Sequence, residues 1–172
     1  MASPKSSPSP RMETPLSAST LREIGLFGAL SDEVLDHLAD ALKTQRVAPG
    51  DTIFHEGDLA HEMYVVLEGE IEVLKKSRRG RDTRVAILGP TDSFGEMSLI
   101  DMQHRSASIR ALAPSRILKI TSEDMDALYR YDLKAYTLIV LNIARDLSRR
   151  LRVTDGILAD FTASVLDEYV VK

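Results

Sequence analysis

Cysteine is absent from the 172-residue sequence, which excludes disulfide bonds, thiolate metal sites and a cysteine nucleophile, and favours a reducing compartment. No apolar run is long enough to span a bilayer, and the N-terminus has no hydrophobic signal region. The net charge is -4, so a general electrostatic attraction to nucleic acid is not indicated. These absences predict a cytoplasmic protein without membrane association.

Two stretches of different composition open the chain. Residues 1–19 carry four of the seven prolines and six serines, a composition that cannot bury a core and predicts a disordered tail. Residues 20–43 are predicted to be helical, with Ser31 as an N-cap before the acidic Asp32 and Glu33.

Between residues 45 and 120, short β-branched runs alternate with glycine turns. This texture is typical of a closed or rolled antiparallel sheet. The predicted strands span residues 52–54, 63–67, 70–75, 85–88, 107–112 and 116–120.

The C-terminal part returns to a helical period. A short helix capped by Ser122 is predicted through Tyr131, and a long helix begins near Lys134. Its apolar residues follow a 4-3 spacing over more than three heptads, which indicates either a dimerisation seam or a face packed on the sheet. Gly156 is expected to break or bend this helix. The predicted domains are therefore residues 1–19, 20–132 and 133–172.

Residues 94–112 carry the candidate site. The alternation of the following strand predicts that Arg105 points inward, where it needs a partner because an unpaired buried charge is very costly. Gly95 permits close backbone approach, and residues 97–100 are expected to form a helical turn with free N–H groups. This arrangement predicts a pocket for a small anion bearing a sugar. The alternative is that Glu96 and Arg105 simply pair and lock a loop.

The string FGEMSLIDMQHRSASIRA, residues 94–111, closely resembles the phosphate-binding cassette of cyclic nucleotide-binding domains. The upstream runs PGDTIFHEGD and MYVVLEGEIEV resemble the glycine-turned β-roll of the same family. The resemblance implies a mainly β fold, an eight-stranded antiparallel β-roll of jelly-roll type with N-terminal helices and a long C-terminal helix. It also implies cAMP or cGMP as ligand, with cAMP favoured, and no further cofactor.

The resemblance also assigns roles within the cassette (residues 94–111). It implies that Glu96 binds the ribose 2′-hydroxyl, that Arg105 binds the cyclic phosphate, and that Ser106 and local amides bind the remaining oxygens. The expected ligand-binding residues are Gly95, Glu96, Met97, Ser98, Arg105, Ser106, Ala107 and Thr154.

The run RRLRVTD, residues 149–155, resembles the dimerising helix of catabolite-activator-type regulators. The match places Thr154 where that family contacts the purine across a homodimer; alternatively, Thr154 is a polar seam residue that sets register. Asp155 stands where those regulators carry a serine. Only 17 residues follow it, too few for a helix-turn-helix domain. We therefore expect a sensor without an attached output domain, either a standalone protein or a fragment of a longer one, that does not bind DNA directly and signals to an unidentified protein effector.

Two other classes of function compete with this interpretation. A cupin-like metal enzyme requires clustered inward histidines, yet the four histidines form no H-x-H pair and no nucleophile–base set is apparent. A structural β-roll without ligand is disfavoured by the intact set of Gly95, Glu96, Arg105 and Ser106. We therefore expect a regulatory binding protein that is not an enzyme and has no metal site.

Overall fold

A computed structural model describes residues 15–170 of the chain, with side chains described through residue 166. The first elements are helix α1 (Ala18–Arg22), a 3-10 turn (Gly25–Phe27) and helix α2 (Asp32–Ala41). Most of the predicted tail, residues 1–14, lies outside the described residues, and α1 begins before the predicted boundary at residue 20.

The prediction of one helix over residues 20–43 is wrong. Ala29 has a φ of 67°, which a right-handed helix cannot contain, and Ser31 is extended. The Ser31 hydroxyl accepts a hydrogen bond from the Val34 N–H at 3.4 Å, so its predicted role as an N-cap is confirmed. The chain leaves α2 at Leu42, whose backbone is extended, and enters the first strand.

Eight antiparallel strands form two four-stranded sheets, which confirms the predicted β-roll. The strand order is β1-β8-β3-β6 in the first sheet and β2-β7-β4-β5 in the second. Strands β1 and β6 were not predicted, since β1 begins inside the expected helix and β6 has only two residues. The strands are β1 (Lys43–Val47), β2 (Thr52–Phe54), β3 (Glu62–Glu68), β4 (Ile71–Lys76), β5 (Asp82–Leu88), β6 (Ser93–Phe94), β7 (Ser108–Ala111) and β8 (Ser115–Thr121).

The tight turn between β3 and β4 requires glycine. Gly69 has a φ of 93°, and a Cβ at this position would lie 2.6 Å from the Pro114 carbonyl oxygen and 2.7 Å from the Ser115 Cα. Both atoms belong to the backbone at the start of β8, the neighbouring strand, so any side chain at Gly69 would clash with them.

Two hydrophobic clusters hold the molecule together. One lies between the helices and the first sheet, and it includes Phe27, Leu35, Leu118 and Ile139. The other fills the space between the two sheets and contains Val66, Ile71, Phe94, Ile109 and Ile117. Because Phe94 opens the cassette and Ile109 lies near its end, burial of these two side chains anchors both ends of the cassette in the core.

Two helices follow the sheets. Helix α4 (Ser122–Tyr131) is capped by Thr121, one residue before the expected cap, in a reciprocal capping box with Asp124. Helix α5 (Leu133–Val170) runs without a break through Gly156, so the expected break there is wrong. A single exposed glycine costs only about 1 kcal/mol relative to alanine, which the flanking helical residues offset. No helix within residues 15–170 is long and apolar enough to cross a membrane.

Candidate functional site

Arg105 lies buried within the cassette, as the sequence predicted, with 2% of its surface exposed, although it stands in the loop before β7 and not in the strand itself. Its Nη1 donates to the Glu62 carbonyl oxygen at 2.8 Å and to the Gly95 carbonyl oxygen at 2.9 Å. Its Nη2 donates to the Glu62 carboxylate at 3.0 Å. The guanidinium also lies 3.9 Å from the ring centroid of Phe54, within cation–π range. Backbone, carboxylate and ring contacts therefore fix its position.

Gly95 brings the cassette backbone against this guanidinium. Its φ is 77°, and a Cβ there would lie 2.6 Å from Arg105 Nη1. The predicted helical turn follows as helix α3 (Glu96–Asp101), which ends at Met102 in the left-handed region. Glycine is required at this position both by its φ and by the close approach of the arginine.

Glu96 is the second buried charged group of the cassette, with 5% of its surface exposed. Its Oε1 lies 3.5 Å from Nη1 of Arg150, which reaches over from α5. Burial raises the pKa of Glu96, and the nearby Arg150 and Arg105 charges only partly oppose this effect. Arg105 thus pairs with Glu62 and Glu96 with Arg150, so the Glu96–Arg105 pair considered as an alternative does not form.

Each of these two buried groups has an unsatisfied polar atom. Among the described residues, Glu96 Oε2 and Arg105 Nε are buried without a hydrogen-bond partner. Buried polar atoms are nearly always satisfied, because an unmade hydrogen bond costs about 1–3 kcal/mol and more for a charged group. A ligand that carries a hydroxyl and an anionic oxygen would satisfy both the unused acceptor and the unused donor.

The other predicted cassette residues surround this pair. Ser98 is buried, Met97 and Ser106 are exposed, and the Ser106 hydroxyl lies 3.7 Å from the Met97 sulfur. Ala107 is half-buried in the bend just before β7. The ammonium group of Lys75 donates a hydrogen bond to the Ser106 carbonyl, so strand β4 fixes the far side of the cassette.

Thr154 lies apart from the cassette contacts just described. Its side chain is exposed on α5, and its hydroxyl donates to the Arg150 carbonyl at 2.9 Å within the same helix. The predicted contact between Thr154 and a purine crosses a dimer, so it stays a prediction.

Sequence reasoning missed two residues that contact the site. Arg150 bridges the site to its own helix, since its Nη2 donates to the Ser93 carbonyl at 2.7 Å and pairs with Asp146 at 2.8 Å. Its position four residues before Thr154, on the same helical face, was an available signal. Glu62 has no comparable signal, because its contact with Arg105 depends on how strand β3 meets the cassette.

The comparisons with known proteins agree with this geometry. The family model described as "Cyclic nucleotide-binding domain" matches residues 44–132, more than half of the chain. The chain belongs to the cyclic nucleotide-binding domain family. The match covers the strands of the roll, the cassette and α4.

Three known proteins are similar to this chain in sequence or in structure. The cyclic AMP receptor protein of Thermus thermophilus is 35% identical over 76% of this chain and 58% of its own length. The N-terminal domain of a transcriptional regulator from Streptomyces coelicolor has a TM-score of 0.68 at 34% identity, covering 76% of this chain and 94% of that one. A cyclic nucleotide-binding domain from Methylobacillus flagellatus has a TM-score of 0.74 at 26% identity, covering 83% and 81% respectively. The chain therefore spans about three fifths of the Thermus relative's length.

The cupin-like alternative gains no support from the fold. Within the described residues, no group of three or more histidine, aspartate or glutamate side chains is placed to hold a metal ion. His37 instead stacks on Tyr131, with ring centroids 3.9 Å apart, and His55 lies 3.8 Å from the Asp58 carboxylate. These two histidines have ordinary structural neighbours.

Proposed function

We propose that the chain is a sensor that binds a cyclic nucleotide, cAMP in preference to cGMP, at its cassette. The observation that carries the proposal is the pair of unsatisfied buried atoms, Glu96 Oε2 and Arg105 Nε. A cyclic nucleotide has a ribose hydroxyl and an anionic phosphate next to each other, and it therefore offers both missing partners. The preference for cAMP is supported by the similarity to a cyclic AMP receptor protein.

Each cassette residue has a role in this proposal. Arg105 binds the cyclic phosphate through the planar fork of its guanidinium, a geometry that matches phosphate oxygens. Glu96 accepts the ribose 2′-hydroxyl on its unused oxygen. Ser106 and the backbone amides of Gly95, Met97, Ser98 and Ala107 supply the remaining donors.

In this proposal, Arg150 couples ligand binding at the cassette to helix α5. This residue ties Glu96 to helix α5 in the ligand-free protein, at 3.5 Å. A ribose hydroxyl on Glu96 changes the partner of the carboxylate and therefore the contact with α5. The ligand then shifts an existing equilibrium between two positions of the helix, in proportion to its difference in affinity for them.

The readout is a homodimer formed through the second half of α5. Its apolar side chains Leu151, Leu158 and Phe161 are each at least 60% exposed in the single chain. They continue the 4-3 spacing of a coiled-coil seam, whose natural occupant is a second copy of the same helix. Thr154 lies in that seam and meets the purine of the partner site, and an effector protein reads the dimer geometry.

Calorimetric titration with cAMP, cGMP and 5′-AMP tests the binding function. We expect cAMP to bind more tightly than cGMP, and 5′-AMP to bind poorly because it lacks the cyclic phosphate.

Arg105→Ala should weaken cAMP binding by about 30-fold to several thousand-fold, the usual effect of removing one partner of a buried charge pair. Light scattering with and without cAMP tests the dimer, and a strict monomer in both conditions contradicts it.

A matched control separates binding from folding. Arg116 is also a buried arginine that pairs with a glutamate, Glu68, but it lies on β8 outside the cassette. Arg105→Lys keeps the charge and loses the fork, so it should weaken binding by about tenfold or more, whereas Arg116→Lys should leave binding unchanged. The proposal fails if no cyclic nucleotide binds below millimolar concentration. It also fails if Arg105→Lys binds like the wild type, as Arg116→Lys should.

A further inference from the structure

The guanidinium of Arg105 already contacts an anion of the protein itself, the Glu62 carboxylate. Its Nη1 is committed to two backbone carbonyl oxygens, those of Glu62 and Gly95. The Nε–Nη2 edge is therefore the pair of neighbouring donors left for a bidentate contact with phosphate. On that edge Nε is unsatisfied, while Nη2 donates to the Glu62 carboxylate at 3.0 Å.

The two partners of this ion pair differ in exposure. The side chain of Arg105 is 1% exposed, whereas that of Glu62 is 25% exposed. The remaining contacts of the Glu62 carboxylate are weak, since the Tyr64 hydroxyl and the His61 N–H each donate to it at 3.3 Å. The carboxylate can therefore turn to solvent, while the arginine cannot.

The carboxylate is not needed to position Arg105. Two carbonyl oxygens and the ring of Phe54 contact the guanidinium independently of it. Its contribution is charge, because it is the carboxylate in direct contact with this buried cation. An incoming phosphate supplies the same charge and would meet a like charge next to it if the carboxylate stayed.

We propose that Glu62 is an internal competitor of the nucleotide's phosphate: it occupies the Nη2 half of the Arg105 edge without ligand and leaves when the phosphate binds. This inference rests on the proposed function of the cassette. Occupancy by the carboxylate lowers the fraction of binding-competent protein, and the apparent dissociation constant rises in inverse proportion to that fraction. Glu62 therefore sets the nucleotide concentration at which the sensor responds.

Glu62→Gln tests the proposal, because the amide keeps the shape and a hydrogen-bond acceptor but loses the charge. We expect cAMP affinity in calorimetry to rise about fivefold, the size typical of a partly exposed ion pair, and the ligand-free melting temperature to fall. These opposite signs distinguish a competitor from a residue that positions Arg105, whose loss would lower both affinity and melting temperature.

Glu68→Gln is the matched control. Glu68 lies on the same strand and pairs with the buried Arg116, outside the cassette. This variant should change melting temperature without changing cAMP affinity. Unchanged or weaker cAMP binding by Glu62→Gln overturns the proposal, as does an equal gain in affinity in Glu68→Gln.

Different results would contradict the proposed function of the cassette and the proposed role of Glu62. If wild type binds cAMP and Glu62→Gln does not bind it more tightly, the cassette function stands and the competitor is wrong. If only Glu62→Gln binds, both are supported. If neither protein binds cAMP or cGMP below millimolar concentration, both the proposed function of the cassette and the proposed role of Glu62 are wrong.

Discussion

Two buried glutamates show how the same side chain serves two purposes in this fold. Glu72, on β4, is 1% exposed and lies between two arginines: Arg84 Nε donates to it at 2.7 Å and Arg110 Nε at 2.6 Å. Glu96, in the cassette, is 5% exposed, has one arginine at 3.5 Å and leaves one oxygen without a partner. The pKa values of the two carboxyl groups accordingly move in opposite directions.

The difference separates a structural carboxylate from a receptor carboxylate. Burial alone would raise the pKa of Glu72, but the hydrogen bonds and charges of its two arginines outweigh burial and lower it. For Glu96 burial dominates, and the pKa is raised. A satisfied carboxylate stabilises the ligand-free protein, whereas an unsatisfied one keeps binding free energy available for a ligand.

The largest effect is expected from Glu72→Ala. Removing the carboxylate leaves two arginines on the outer face of the sheet without their shared anion. We expect the free energy of unfolding to fall by about 2 kcal/mol, below the usual cost for a buried pair because both arginines are half-exposed and can turn to water. Urea unfolding measures this change, and calorimetry should give unchanged cAMP affinity. A variant that unfolds normally but loses cAMP binding would contradict the structural role.

Glu96→Gln should weaken cAMP binding without lowering stability, the reverse of the effect expected for Glu72→Ala. The amide still accepts one hydrogen bond from the ribose hydroxyl but loses the charge, so cAMP affinity should fall about tenfold, or about 1.4 kcal/mol. The free energy of unfolding should stay equal or rise, because a neutral group is easier to bury. The calorimetric comparison with Glu72→Gln is decisive. Equal losses of affinity in both variants would remove the distinction between the two glutamates.

The sequence predicted the parts of the site that depend on local pattern. The burial of Arg105 was predicted by extending the alternation of the following strand backward, although Arg105 lies in the loop before β7. The close approach at Gly95 and the helical turn after it were predicted from the order of residues in the cassette. The contacts of Glu62 and Arg150 could not be predicted, because each depends on the register or docking of an element distant in sequence. Strand β6 was missed for a similar reason, since two residues carry no periodicity and acquire their conformation by pairing with β3.

The smallest effect, and the sharpest test of the comparison, is the dependence of stability on pH. Both carboxyl groups have an ordinary pKa of 4.5. The lowered pKa of Glu72 gives stability that is present above 4.5 and is lost as pH falls through the lowered value. The raised pKa of Glu96 has the opposite sign: its contribution is fully present below 4.5 and is lost as pH rises through the raised value.

The two Gln variants should therefore diverge from the wild type at opposite ends of the pH range. Glu72→Gln should be less stable than the wild type near neutral pH and approach it in acid. Glu96→Gln should match the wild type in acid and become relatively more stable as pH rises. Urea unfolding of the three proteins between about pH 2.5 and about pH 8 measures both slopes. Slopes of the same sign would show that the two buried glutamates experience the same environment, against the contacts that distinguish them.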